Sequence, residues 1–299
     1  INMMKRNAQF LTVLFLMVLG SYSVSVAQTG VTQTTQPGTP QMMADTSDIK
    51  NVYERIHIRD KKPIPYVPIR EADVMWSKDI WRIIDLREKM NQPLYYPLEP
   101  INQRMSLFGV IMHGIRENNL KAYADHPNKN FTTDLLMTES EIIEKLGADT
   151  VFGEVRLRTQ EVKQFLVKEK WFFDKQHSTM RVRIVGLAPI RVYNQQITLP
   201  DGSIEVSPEV QYEIAFWIYF PEFRPLFSRY EVYNPRNDSN PISFDDLFIQ
   251  RRFASFIFKE SNVYSNRAIR EYLTGDDVLY EAERIKEKLF EFEHDLWEY

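Results

Sequence analysis

Five histidines, His57, His113, His126, His177 and His294, come first as candidates for chemistry, since an imidazole ligates metals and moves protons near neutral pH. No two of them stand at the spacing of a His-Glu-x-x-His helix, and the chain has no cysteine, so no metal-ligand set is expected. The ten glycines do not cluster into a phosphate cradle, and no cofactor site is expected. The carboxylate pairs Asp245-Asp246 and Asp276-Asp277 have the residue type for general acid-base work. Each stands where a helix should begin, however, and exposed backbone amides favour negative charge there. Asp174-Lys175-Gln176-His177-Ser178 holds an Asp, a His and a Ser close together. A catalytic triad draws these groups from separate elements around an oxyanion hole. A polar hairpin turn is the expectation, because Asp and Ser are turn residues. Arg251-Arg252 could clamp an anion, or form ion pairs on a solvated face. No residue is therefore expected to be catalytic.

The elements that carry these residues divide the chain into a helical part, a sheet part and a second helical part. Across Glu71–Met90, Val74, Trp76, Ile80, Ile83, Ile84 and Leu86 recur with helical spacing ahead of Pro93. A second helix is expected over Leu107–Asp125 despite Gly109 and Gly114. A third opens at the capping box Thr138-Glu139-Ser140-Glu141 and closes at Gly147. These make residues 70–150 the first helical part.

Val162–Asp174 and Thr179–Tyr193 read as strands joined by the polar turn, with Met180, Val182 and Ile184 alternating against Arg181 and Arg183. A turn at Leu199-Pro200-Asp201-Gly202 leads to a central strand over Val210–Phe220, which makes residues 151–220 an antiparallel sheet of three or more strands. The runs Trp171-Phe172-Phe173 and Phe216-Trp217-Ile218-Tyr219-Phe220 must turn aromatics to both faces. Either flanking helices of the same chain bury both faces, or one face is a partner surface. In 221–299, helices are expected over Pro225–Tyr233, from the N-cap Ser243 through Phe244–Glu260, and from Asp276-Asp277 toward Trp297. The class is α+β, a central antiparallel sheet flanked by N-terminal and C-terminal helices.

Lys5 and Arg6 precede an apolar run from Phe10 to Leu19, too short for a membrane span, and Ser25-Val26-Ala27 places small residues at a cleavage site. Residues 1–27 are expected to be a signal peptide cut between Ala27 and Gln28. With no cysteine to acylate, the mature protein should be periplasmic and not lipidated, meeting membrane only through a partner. Residues 28–50, rich in Thr, Gln, Pro and Gly, read as a flexible tether. Of the 37 basic residues two lie in the signal region, which leaves 35 against 41 acidic ones and argues against a nucleic-acid partner. Residues 51–69 form an extended arm in which Pro63, Pro65 and Pro68 exclude a helix. Tyr53, Ile56, Ile58, Pro63, Pro65 and Tyr66 are its candidate contacts, together with Arg251 and Arg252. The arm lies either on its own domain or on a neighbouring subunit.

Several passages resemble a known family: Trp171-Phe172-Phe173-Asp174-Lys175-Gln176-His177-Ser178 running into Arg181-Val182-Arg183-Ile184-Val185-Gly186-Leu187-Ala188-Pro189, the stretch from Ile285 to Trp297, Lys61-Lys62-Pro63-Ile64-Pro65-Tyr66, Asp73-Val74-Met75-Trp76-Ser77-Lys78, and Arg251 to Asn262. They resemble GldN, called PorN in non-gliding relatives, of the type IX protein secretion machine of Bacteroidota. The resemblance covers about Tyr53 to Tyr299. It implies a non-enzymatic structural subunit that assembles with a GldK/PorK-like lipoprotein and with copies of itself into a ring at the inner face of the outer membrane. It also implies contact with a GldM/PorM-like motor component, and a part in protein secretion and, where present, gliding. From the residues alone, a carboxylate-dependent periplasmic hydrolase and a glycan- or peptide-binding adaptor remain alternatives.

Overall fold

The computed structural model describes residues 60–295 apart from 102–103, 126–130, 152–153, 158, 199–203, 235–236 and 238. The expected signal peptide, its Ala27-Gln28 cleavage site and the tether lie outside the described residues, as do Tyr53, Ile56, Ile58 and the turn at Leu199-Pro200-Asp201-Gly202.

Strand β1, Val74–Asp85, corrects the expected helix over Glu71–Met90. Its apolar residues are spaced like a helix because the strand buries both faces, so that Ile80 and Ile84 point one way and Trp81 and Ile83 the other. Short helix α1 is Gln92–Tyr95. Helix α2, Leu107–Glu117, is N-capped by Ser106, whose hydroxyl accepts from the Gly109 amide at 3.1 Å. It ends earlier than Asp125, and β2, Ala122–Tyr123, follows. Helix α3, Glu139–Leu146, has the expected capping box and stops at Gly147 with φ 66°. β3, Ala148–Val151, and β4, Glu154–Leu157, form a separate two-stranded hairpin. Residues 70–150 are thus a mixture of strand and helix, not one helical part.

Strand β5, Val162–Asp174, and β6, Thr179–Thr198, form the expected hairpin, with Ser178 at φ 50° in its turn. The single strand expected over Val210–Phe220 is two, β7, Ile204–Ile214, and β8, Trp217–Tyr219, both paired to β6 and broken at the fully buried Ala215 and Phe216. Helix α4 is Phe220–Phe227, with Pro221 at its start, so the expected helix over Pro225–Tyr233 lies mostly upstream of its forecast place. β9, Glu231–Val232, pairs with β10, Ile242–Ser243. Ser243 does cap a helix, α5, Phe244–Ile249, with Asp246 completing the capping box. That helix ends far short of Glu260: Arg251 enters the left-handed region at φ 52°, and Phe256–Glu260 becomes strand β11. The long final helix α6, Asp277–Asp295, is as expected.

The main sheet has seven strands in the order β11-β1-β5-β6-β8-β2, with β7 also paired to β6, and the pairings are antiparallel. On one face Ile84, Phe165, Val167 and Leu187 meet the apolar stripes of α2, α4 and α5. Phe220, Phe223, Phe227, Phe244 and Phe248 form the aromatic centre there, each essentially inaccessible to solvent. Burying each such ring contributes about 1.5–3 kcal/mol. The opposite face holds Trp81, Ile83, Leu166, Ala188, Ile190 and Trp217, partly covered by Phe131 and Leu135. Gly186 sits in mid-strand because a Cβ there would come within 2.5 Å of the Phe131 ring. Helix α6 packs Ala282, Ile285 and Leu289 on Ile80 and Ile257, and Phe292 meets Trp76 at 4.8 Å between ring centroids. The aromatic runs are therefore buried largely by the chain's own elements: Phe172, Phe173, Phe216, Trp217 and Phe220 are all buried. Among the described residues no helix is long and apolar enough to cross a membrane.

Candidate functional site: an arginine cradle under the arm

The described end of the arm, from Asp60 onward, lies on its own domain. Prolines hold this segment extended, so its amides and carbonyls must find partners outside itself. Lys61 forms an ion pair with Asp246, and its carbonyl accepts from the Ser228 hydroxyl at 2.8 Å. Five residues on, the Tyr66 ring rests between two guanidinium groups, Arg224 at 4.1 Å and Arg183 at 5.0 Å from its centroid. Arg183 also donates to the Val67 carbonyl. A cleft of about 330 Å³ remains beside these contacts, floored by Phe220, Phe248 and Ile184 and rimmed by Arg181, Arg183 and Arg251.

Each cradle residue is held by an element beneath it. Arg224 comes from α4 and makes a two-pronged pair with Asp245 of α5 at 2.8 and 3.0 Å; both side chains are almost wholly buried. A bidentate guanidinium-carboxylate pair fixes orientation as well as charge, so the face that Arg224 offers to Tyr66 is set in advance. Burial pushes the Tyr66 phenol above its usual value, and the Arg224 charge pulls it only partly back. Asp246 feels burial in the same upward direction, yet hydrogen bonds from Lys61 and Ser243 carry it below the usual carboxylate range.

A second buried charge cluster lies behind the cleft. Glu169 of β5 is fully buried and takes the Trp171 indole N–H at 3.0 Å on Oε2. Arg251 Nη2 stands 2.9 Å from its Oε1 and 3.2 Å from its Oε2. The contact to Oε1 is an ion pair without hydrogen-bond alignment, which leaves that oxygen without a hydrogen-bond donor. Arg82 of β1 shares the same counter-charge: burial lowers its basicity and the Glu169 charge restores part of it. The Arg82 guanidinium itself donates to the Ser255 hydroxyl at 2.9 Å and to its carbonyl at 3.2 Å.

The candidates named from sequence separate accordingly. Tyr66 is the anchor, Pro63 is half-buried and Pro65 is exposed. Arg251 serves an internal ion pair, whereas Arg252 is exposed and its amide donates to the Leu247 carbonyl, so the two do not act as one clamp. In the β5–β6 turn, Asp174 accepts from His177 Nδ1 at 2.7 Å and from the Gln176 amide at 3.0 Å. Burial raises its pKa, but those bonds and the nearby Arg181 hold it below the ordinary value, as befits a structural turn carboxylate. Sequence reasoning missed Arg183, Arg224 and Glu169 as site residues, and placed Asp245 only at a helix start.

Such a fold and cradle define an α+β protein built on a seven-stranded antiparallel sheet, with ion pairs fastening the arm to α5 and α5 to α4. A family model described as "Gliding motility associated protein GldN" matches residues 69–298. The chain belongs to this family, whose members are components of gliding motility and type IX secretion. No curated protein matches it.

Proposed function

We propose that the protein is a non-enzymatic structural subunit of the type IX secretion machine. It stands in the periplasm at the inner face of the outer membrane, joins a GldK/PorK-like lipoprotein and copies of itself in a ring, and meets a GldM/PorM-like motor component. Family membership over 69–298 carries this reading. The carboxylates support it: among the described residues those with clear shifts, Asp85, Asp174, Asp246 and Glu141, all move toward the ionised form through hydrogen bonds to neighbouring groups. A general acid would need the opposite displacement. A ring of like subunits also needs unlike patches that meet between neighbours, which an extended N-terminal segment supplies. The test is to produce the protein with its lipoprotein partner and measure particle mass. A ring subunit runs as a very large assembly, and particles of one or two chains would overturn the proposal.

A further inference from the structure

Strand β7 pairs with β6 on one side, and among the described residues nothing pairs with its other side. That open edge is divided in two by an irregularity: Asn194 is opposite Val210 but Gln196 is opposite Val206, so extra residues including Pro208 bulge out. A bulge carrying a proline blunts an edge against pairing. The part from Val210 to Ile214, which Glu209 flanks, keeps its register with β6 and has no such protection. Val210 and Tyr212 are 45% and 54% exposed there, opposite Asn194 and the buried Val192 of β6. An open edge with exposed apolar side chains is a template for an added strand.

The open edge reads Glu209-Val210-Gln211-Tyr212-Glu213, acidic or polar on one face and apolar on the other. The arm immediately before the described residues reads Arg55-Ile56-His57-Ile58-Arg59, with basic and apolar residues at the same period. Laid antiparallel, Arg55 meets Glu213, Ile56 meets Tyr212, His57 meets Gln211, Ile58 meets Val210 and Arg59 meets Glu209. Opposite charges pair on one face and apolar side chains on the other, the combination that stabilises neighbouring strands.

Strand direction decides which copy supplies the arm. Tyr66 is fixed against Arg183, and β7 runs back toward that point from the far end of β6. Within one chain the arm would therefore run parallel to β7. The pairings of the main sheet are all antiparallel, the more stable arrangement per residue, and a neighbouring copy can present the arm in that direction. We infer that Arg55–Arg59 of one copy adds as an antiparallel strand to the Glu209–Ile214 edge of a neighbouring copy. The choice of a second copy as donor rests in part on the proposed subunit role.

The cysteine-free chain makes the test direct. Copies carrying Ile58→Cys are produced together with copies carrying Val210→Cys in host cells where the assembly forms, and the cells are mildly oxidised. A disulfide-linked dimer that needs both variants is expected. A second chain carries Ile58→Cys and Tyr212→Cys together; closure of a bond within that single chain would place the arm on its own sheet and overturn the inference. Absence of both products would overturn it too. Arg59→Glu should lower the dimer yield at least five-fold, and Glu209→Lys should restore it; failure of that rescue would refute the register. A large assembly that yields no such disulfide sinks this inference alone, whereas loss of the large assembly counts against the subunit role itself.

Discussion

Replacing Glu169 should destabilise the domain more than replacing Arg251, although the two are partners. Glu169 is fully buried and is the common counter-charge of Arg82, itself only 9% exposed, and of Arg251, whose side chain is about one-third exposed. Glu169→Gln leaves the mutually repelling Arg82 and Arg251 without their shared buried carboxylate, with only the weaker charge of Glu283 still acting on Arg82, and removing one partner of a buried pair costs about 3–5 kcal/mol. Arg251→Met leaves Arg82 to balance the carboxylate and removes a partly solvated charge, so the loss should be about 2 kcal/mol after discounting for screening. In the double variant Arg82 still has Ser255, and the combined loss should fall short of additivity by about 1–2 kcal/mol. Urea unfolding with a shared slope gives the three values. Thermal midpoints should follow, with Glu169→Gln down by about 6–20 °C, since about 1 kcal/mol moves a domain of this size by about 2–4 °C. Equal losses in the two single variants, or strict additivity, would refute the shared-counter-charge account.

Tyr66→Ala should free the arm, since it removes a ring held by Arg224 and Arg183 at about 0.5–2 kcal/mol per contact; limited proteolysis should cut near Ile64 faster while the core stays intact. Gly147→Ala should cost about 1–2 kcal/mol in thermal unfolding, because the residue sits at φ 66° and its new methyl would come within 2.5 Å of the Arg191 guanidinium. The Asp85 carboxyl is opposed by burial but brought to about 2 by hydrogen bonds from Arg87 and Gln164. Its folded pKa is depressed, so its stabilisation is full above about pH 4 and disappears as pH falls through about 2. The gap in thermal midpoint between wild type and Asp85→Asn should therefore shrink over that window, and a constant gap would contradict it.

The β5–β6 hairpin, α3 with its capping box, the Ser243 cap and the final helix were all legible from sequence, because each is specified by neighbours along the chain. β1 was not. Its alternation is hidden by Arg82 and Asp85, charged residues that the fold buries by giving them Ser255, Arg87 and Gln164 as partners. What remains visible is Ile80, Ile83 and Ile84, whose spacing imitates a helix. β11 failed for a related reason: the apolar residues after Ser243 continue with helical spacing, but Arg251 turns the backbone left-handed without a glycine to announce it. The cradle was half legible. Tyr66 stood out within a proline-rich segment, whereas Arg183 and Arg224 acquire meaning only when β6 and α4 converge on it.

The order of strands has a consequence for how the chain comes into being. β1 lies between β5 and β11, and Ile80 is opposite Glu260, so the strand that completes its second edge arrives only when most of the polypeptide has been made. Closing so long a loop is entropically slow compared with forming local hairpins. A nascent fragment ending before Phe256 would carry Ile80 and Trp81 uncovered along one side, so acquisition of the native state should be a late, concerted event, with no independently stable half to accumulate beforehand.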